Sequence, residues 1–237
     1  MSAWEWLDMV QWSLHLPDGH DGPTEISSWV VGGRLAMGYY PGMLRHGEVA
    51  PTVLDELLDC GIDQFVNLTQ DWPGGTDEHL TRYYRRPEGS DGSPLVRAGR
   101  REDEPVNVAF HPVPDEHLPG CNLRGSSAAW SSCDIDGYGE DLVSCEDGRP
   151  VPATSLILDA LDGFLEQGRN VYVHCWGGSG RTGTIIGCWI RRHDLVGADE
   201  VLESLRDLRE GDSVKNGKPI PQTPAQVDMV LSWEPGW

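Results

Sequence analysis

Lysine is almost absent from this 237-residue chain, standing only at Lys215 and Lys218. The 18 lysines and arginines together face 38 aspartates and glutamates, for a formal net charge of −20 at pH 7. So little positive charge argues against a surface that tracks nucleic acid or an anionic membrane. It also disfavours a highly anionic substrate, unless arginine and backbone dipoles gather locally. Long apolar runs are lacking as well, and no stretch is long enough to span a bilayer. The opening residues Met1-Ser2-Ala3-Trp4-Glu5-Trp6 have neither the basic region nor the apolar core of a secretory signal. None of the six cysteines (Cys60, Cys121, Cys133, Cys145, Cys175 and Cys188) forms a CxxC pair. Spacing therefore points to no zinc site, and the expectation is a cytoplasmic protein with reduced thiols. Arginine, glycine and tryptophan are plentiful where lysine is scarce, a bias that points to a GC-rich, bacterial coding sequence.

What is present suits one α/β domain with a sizeable core. Residues 1–28 read as a tryptophan-bearing arm whose aromatics cover an edge of the core, and residues 29–237 as a single domain. Trp29–Gly38 reads as one or two strands. Pro51–Cys60 reads as a helix with proline in its first turn and Gly61 just past its end, and Ile62–Thr69 as the next strand. Residues 85–105 read as an exposed loop, Val106–His111 as a strand, and residues 116–150 as a long polar insertion. Leu156, Ile157, Ala160, Leu161, Phe164 and Leu165 mark the inward face of a helix over Ala153–Gln167. Helices are further expected over Asp199–Leu208 and from Thr223 or Pro224 through Trp233. Strands alternating with helices predict a parallel-dominated sheet flanked by helices on both faces.

One stretch organises the rest. Val171-Tyr172-Val173 reads as a buried strand, and Thr184–Ile190 as the first turns of a buried helix. Between them lies His174-Cys175-Trp176-Gly177-Gly178-Ser179-Gly180-Arg181-Thr182. A glycine-rich loop between a strand end and a helix start gathers backbone N–H groups, and the helix dipole favours an anion there. Residues 176–180 (Trp176, Gly177, Gly178, Ser179, Gly180) would wrap a phosphate, and Arg181 would clamp two of its oxygens. The same field favours the thiolate of Cys175, a nucleophile aimed at phosphorus.

This loop resembles the His-Cys-x5-Arg-Ser/Thr signature of the cysteine-based protein tyrosine phosphatases, matched at His174, Cys175, Arg181 and Thr182. Upstream, Phe110-His111-Pro112-Val113-Pro114-Asp115 looks like the acid-loop segment of the dual-specificity branch, particularly the cyclin-dependent-kinase-associated phosphatase type. The resemblance implies a dual-specificity-phosphatase-like fold and a phosphocysteine mechanism without metal or cofactor. It makes Asp115 the general acid, since the leaving oxygen must be protonated, with Glu116, Asp103 and Glu104 as competitors for the role. It gives His174 a buttressing role under the loop, and Thr182 a hydroxyl that could donate to the cysteine sulfur. Pro221-Gln222-Thr223-Pro224-Ala225-Gln226 resembles the Gln-Thr-x-x-Gln segment of the tyrosine-specific enzymes, which implies that Gln222 and Gln226 position the attacking water. Thr223 also reads as a helix cap there.

Two departures from the family stand out. The 116–150 insertion is long, and no Lys-Asn-Arg-Tyr segment deepens the pocket, so restriction to phosphotyrosine does not follow. The implied substrate is a phosphorylated protein, with a small phosphoester such as an inositol phosphate or phosphoinositide as the alternative. Absence of lysine from the signature loop weighs against that alternative. A non-catalytic phosphate-binding module is a second rival, and it would be expected to have lost Cys175, Arg181 or the acid. Arsenate-reductase-like chemistry, which needs a resolving thiol such as Cys188 or Cys60, is a third.

Overall fold

The computed structural model describes residues 12–16, 21–42, 53–85, 95–97, 105–119, 153–210, 212 and 217–237. In chain order the strands are β1 (Ser27–Val31), β2 (Leu35–Gly38), β3 (Gln64–Asn67), β4 (Tyr84–Arg85), β5 (Val96–Arg97), β6 (Val108–Phe110) and β7 (Val171–His174). The helices are α1 (Val53–Asp59), α2 (Ala153–Glu166), α3 (Gly180–Arg192), α4 (Val201–Asp207) and α5 (Pro224–Ser232). A five-stranded sheet runs β1-β2-β7-β3-β6, parallel throughout except for the β1–β2 pair. The strand that carries His174 and leads into Cys175 is therefore the central one, held by β2 on one side and β3 on the other.

Side chains alternate across this sheet with the strand period of two. Leu35, Met37, Val66, Val171 and Val173 point to one face and share a core with Ile157, Leu158 and Leu161 of α2 and Ile185, Ile186 and Trp189 of α3. Ala36, Phe65 and Tyr172 point to the other, against Val53, Leu54 and Leu57 of α1. Both faces are covered, as the alternation of strands and helices predicts. Every residue of α3 from Gly180 to Arg191 is buried. Small residues let α5 and the segment before it close on this helix. A Cβ on Gly183 would stand 2.5 Å from Ile220 Cγ1, and one on Gly187 2.7 Å from Val230 Cγ1.

The structure differs from the sequence reading in detail. Strand β1 begins at Ser27, inside the stretch read as an arm. Within that arm, Trp12 packs edge-on against Trp189 with ring centroids 6.0 Å apart, so this aromatic does cover the core. Part of the expected 85–105 loop is strand: Val96–Arg97 pairs antiparallel with Tyr84–Arg85. Two-residue strands are too short to leave a periodic signature. The insertion beyond Pro119, with Cys121, Cys133 and Cys145, lies outside the described residues, as do Asp103, Glu104 and Lys215. Among the described residues no helix is long and apolar enough to cross a membrane.

Candidate active site

The loop from Cys175 to Ser179 joins the end of β7 to the start of α3, and its neighbours in the sheet hold its first residues. Leu68 N–H donates to His174 O (3.0 Å), and Tyr40 N–H donates to Trp176 O (3.1 Å). Gly178 has φ +63°, and a Cβ there would stand 2.7 Å from the carbonyl of Gly38, so two independent constraints require glycine. Ser179 is fixed from below: Arg209 Nη1 donates to its hydroxyl at 2.8 Å, while Arg209 Nη2 bonds Asp212 at 3.0 Å in a buried ion pair. Trp176 faces outward, 43% exposed, with its ring 5.1 Å from that of His79.

Cys175 is buried at this loop. His174 beside it is fully buried and contacts the Tyr83 hydroxyl through Nε2 at 2.8 Å. Burial holds Tyr83 far above the usual phenol range, so its hydroxyl keeps its proton. His174 Nδ1 faces Cys175 O, which can only accept, at 3.4 Å; this assigns the imidazole hydrogen to Nδ1 and leaves Nε2 to accept from Tyr83. Burial also pushes His174 down to about 3, so the ring is neutral at any working pH. Its part is a rigid, uncharged buttress.

Arg181 explains most of the remaining geometry. Nη1 donates to Asp77 Oδ2 at 2.6 Å and to Val113 O at 3.0 Å, and Nη2 donates to Asp77 Oδ1 at 2.8 Å. Nη2 also stands 3.0 Å from Asp115 Oδ1. Asp77 is fully buried and takes further bonds from Gln70 N (2.9 Å) and Thr76 Oγ1 (3.1 Å). Burial alone would raise its carboxyl, but the Arg181 fork outweighs this and holds it below the usual carboxylate range. The guanidinium is thus aimed by a two-bond clamp, and its Nε is left buried with no hydrogen-bond partner among the described residues. A buried N–H without a partner costs about 1–3 kcal/mol, which a bound anion would recover.

The acid loop closes over this arginine. His111 N–H donates to Asn67 O, Val113 N–H to Leu68 O, and Asp115 N–H to Thr76 Oγ1. Asp115 itself is 38% exposed at its side chain, the partial access that a proton donor to a bound substrate needs. Arg181 thus meets Asp115 directly and lies within electrostatic reach of Cys175. Glu116, the nearest rival acid, is exposed with φ +63°.

Gln226 lies against the same loop, where a Cβ on Gly180 would stand 3.1 Å from its amide oxygen. That oxygen accepts from Gln222 N (3.2 Å) and Thr223 N (3.1 Å), and Gln226 Nε2 donates to His117 O at 3.2 Å. Thr223 and Gln226 form a reciprocal capping box on α5, so the capping reading holds while the amide also bridges to the acid loop. Gln222 is exposed, its Oε1 3.4 Å from the same point on Gly180. Thr182 departs from expectation. Its hydroxyl is buried and makes no hydrogen bond among the described residues, so the anticipated bond to the sulfur is not formed.

Sequence reasoning missed Asp77, Tyr83, Arg209 and Asp212. A general signal existed for the first, because a buried arginine demands a carboxylate. The segment after β3 offers Asp71, Asp77 and Glu78, with nothing in their spacing to choose among them.

Comparison with known proteins follows this geometry. Residues 145–194 match the model of a family described as a polymorphic toxin system phosphatase of the dual-specificity protein tyrosine phosphatase type. The mouse dual specificity protein phosphatase CDC14B is 40% identical over 60 residues, covering 25% of this chain and 12% of its own. The pig cyclin-dependent kinase inhibitor 3 is 30% identical over 84 residues, 35% of each chain. The chain therefore spans about a third or less of the length of these relatives. A crystal structure of Tk-PTP in a mutant form is similar over 88% of this chain and 94% of that one, with 20% identity and a TM-score of 0.50, which shows the shared fold. Over residues 145–194 the chain is thus similar to dual-specificity-type phosphatases of the cysteine-based class, and its fold is similar to theirs.

Proposed function

We propose that this protein is a cysteine-dependent phosphomonoester hydrolase acting on phosphorylated proteins, at tyrosine or with dual specificity. The single observation that carries the reading is the arginine clamp. Arg181 is locked by Asp77, its buried Nε has no hydrogen-bond partner among the described residues, the charge of Cys175 acts on it, and Asp115 sits 3.0 Å from its Nη2. Nucleophile, phosphate clamp and acid thus share one constellation.

In the proposed reaction the phosphate settles into the loop, with Arg181 on its oxygens in place of Asp115. The Cys175 thiolate attacks phosphorus, forming the S–P bond as the P–O bond to the leaving group breaks, and Asp115 delivers its proton to that oxygen. Water then attacks phosphorus and Asp115, now a carboxylate, takes its proton. The S–P bond breaks, inorganic phosphate departs and the thiolate returns. Gln226 and Gln222, whose amides lie near Gly180, are the proposed groups that orient this water. Turnover of an aryl phosphate and of phosphotyrosyl peptides by the full chain, against Cys175→Ser, tests the reading. Turnover that survives the substitution would overturn it.

The small-phosphoester alternative draws less support, because residues 176–180 carry no charged side chain to meet additional phosphates. The matched family's description supports a setting in a polymorphic toxin system. Growth arrest on expression in a bacterial cytoplasm, relieved by Cys175→Ser, is the outcome expected of that setting. A reduced Cys175 makes the cytoplasm the proposed place of action in either case.

A further inference from the structure

We infer that Gln226 is a positioning residue for the general acid: through its bond to His117 O it latches the acid loop to α5 and so holds Asp115 at Arg181. The inference rests on the phosphatase reading above. It gives the Gln226 amide an effect on the first chemical step, beside the part proposed for it in the second.

Gln226 is fully buried, and its partners fix which way the amide points. Oε1 faces the backbone N–H groups of Gln222 (3.2 Å) and Thr223 (3.1 Å), which can only donate. Nε2 faces His117 O at 3.2 Å, which can only accept. Both lone pairs of the oxygen are thereby taken, so the amide has no acceptor left for the proton of an attacking water. One N–H remains, on the side of Gly180, where a Cβ would stand 3.2 Å from Nε2. The exposed Gln222 is the better placed of the two to accept from water.

Asp115 lies between two anchors. Upstream, both backbone polar groups of Val113 are bound: its N–H donates to Leu68 O (3.1 Å), and its carbonyl accepts from Arg181 Nη1 (3.0 Å). Downstream, the bond from Gln226 Nε2 ties the loop to α5. His117 passes that constraint back to the acid, because its N–H donates to Pro114 O (3.2 Å) and its Nδ1 to Asp115 O (2.7 Å). Glu116 stands between them at φ +63°, a left-handed conformation that a residue with a Cβ adopts only under strain. Such a turn persists only while its surroundings over-determine it, and Gln226 supplies part of that hold. Without the bond the turn relaxes, and Asp115 leaves its place 3.0 Å from Arg181 Nη2.

A latch on the acid and a group on the water leave different kinetic marks. kcat/KM covers the reaction only through departure of the leaving group, so attack of water on the phosphocysteine does not enter it. Loss of the latch weakens protonation of the leaving oxygen. It therefore shows in kcat/KM, and most for esters that need the proton.

Gln226→Met and Gln226→Glu in the full chain test this, with phenyl phosphate as the ester of a poor leaving group and para-nitrophenyl phosphate as that of a good one. Gln226→Glu keeps an acceptor for the Gln222 and Thr223 N–H groups and loses the N–H on His117 O. In both variants kcat/KM should fall about tenfold for phenyl phosphate and about twofold or less for the nitrophenyl ester. In an Asp115→Asn background the same substitutions should change kcat/KM by less than about twofold, because the acid that they position is gone. Thr223→Ala, which breaks the capping box and leaves Nε2 in place, should lower the melting temperature without the leaving-group pattern. A fall in kcat at unchanged kcat/KM overturns the latch and leaves Gln226 with the water alone. Equal losses for both esters, additive with Asp115→Asn, also overturn it, assigning Gln226 to the fold. Hydrogen exchange across residues 113–118 reads the latch without turnover. It should quicken in both Gln226 variants and stay near the parent rate in Thr223→Ala; no quickening, or equal quickening in all three, overturns the latch. Failure of the parent protein to hydrolyse either ester would strike the phosphatase reading, with exchange still deciding the latch.

Discussion

Two segments meet at Arg181, and they are built in opposite ways. The signature loop, His174 to Thr182, is nine contiguous residues whose roles are local: a strand end, a φ +63° glycine, a thiol and a helix start. The segment behind it, Thr69 to Tyr84, supplies Asp77 to the guanidinium, Tyr83 to His174, and Tyr84 to Asp71. Asp77 and Tyr83 act one at a time and are distant in sequence from what they touch. On the proposed reading the first segment carries the chemistry, and the second holds that chemistry at fixed geometry. Substitutions should therefore separate them, the first failing in turnover and the second in both turnover and stability.

The widest separation is expected at the nucleophile. Cys175→Ser should lower kcat by about 10⁴-fold or more while the melting temperature stays near that of the parent, because sulfur is replaced by a slightly smaller oxygen. A comparable fall in melting temperature would erase the contrast between the segments. Next comes Asp115→Asn, expected to cost about 10²-fold in kcat. That loss should shrink as the leaving group improves, since a good leaving group needs no proton. A loss independent of leaving group would move the acid's role elsewhere.

Asp77→Asn tests the second segment. Breaking one partner of a buried ion pair leaves the other charge uncompensated, at a cost of about 3–5 kcal/mol. Turnover should fall about tenfold or more as Arg181 loses its aim, and urea unfolding should show the stability loss in the same variant. Loss of turnover at full stability would make Asp77 a part of the chemistry and merge the two segments into one.

How much of this the chain disclosed follows the same division. The sheet, its helices and the loop that joins β7 to α3 were legible, because period-two strands and a contiguous loop motif leave their marks within a few residues. Asp77 and Arg209 were not. Their functions depend on which loops meet at the end of β7, and three acids after β3 are equivalent until the chain is folded. The capping box at Thr223 was legible for the converse reason, as its partners are three residues apart. Thr182 shows the limit of motif transfer: the residue type matches, but its hydroxyl bonds nothing among the described residues.

Acid should separate the two segments by smaller but distinguishable effects. His174 is buried neutral, with its folded value pushed down to about 3 from an ordinary 6.5. Between those values the unfolded chain binds a proton that the folded one does not, so stability falls as pH falls through this window. From pH 7 to pH 5 the loss is about 2 kcal/mol on this account. Asp77 runs in another window. Its folded value lies below the ordinary carboxylate range, so its contribution is complete above about pH 4 and is lost as pH drops further. Urea unfolding from pH 7 to pH 3 should thus show two descending phases, the upper from the signature loop and the lower from the segment behind it. His174→Gln should flatten the upper phase, leaving a smaller residue of the same sign from His111, which burial pushes down to about 4. Asp77→Asn should leave the upper phase in place and remove the lower. A single phase that both substitutions flatten alike would mean that the two segments unfold and titrate as one.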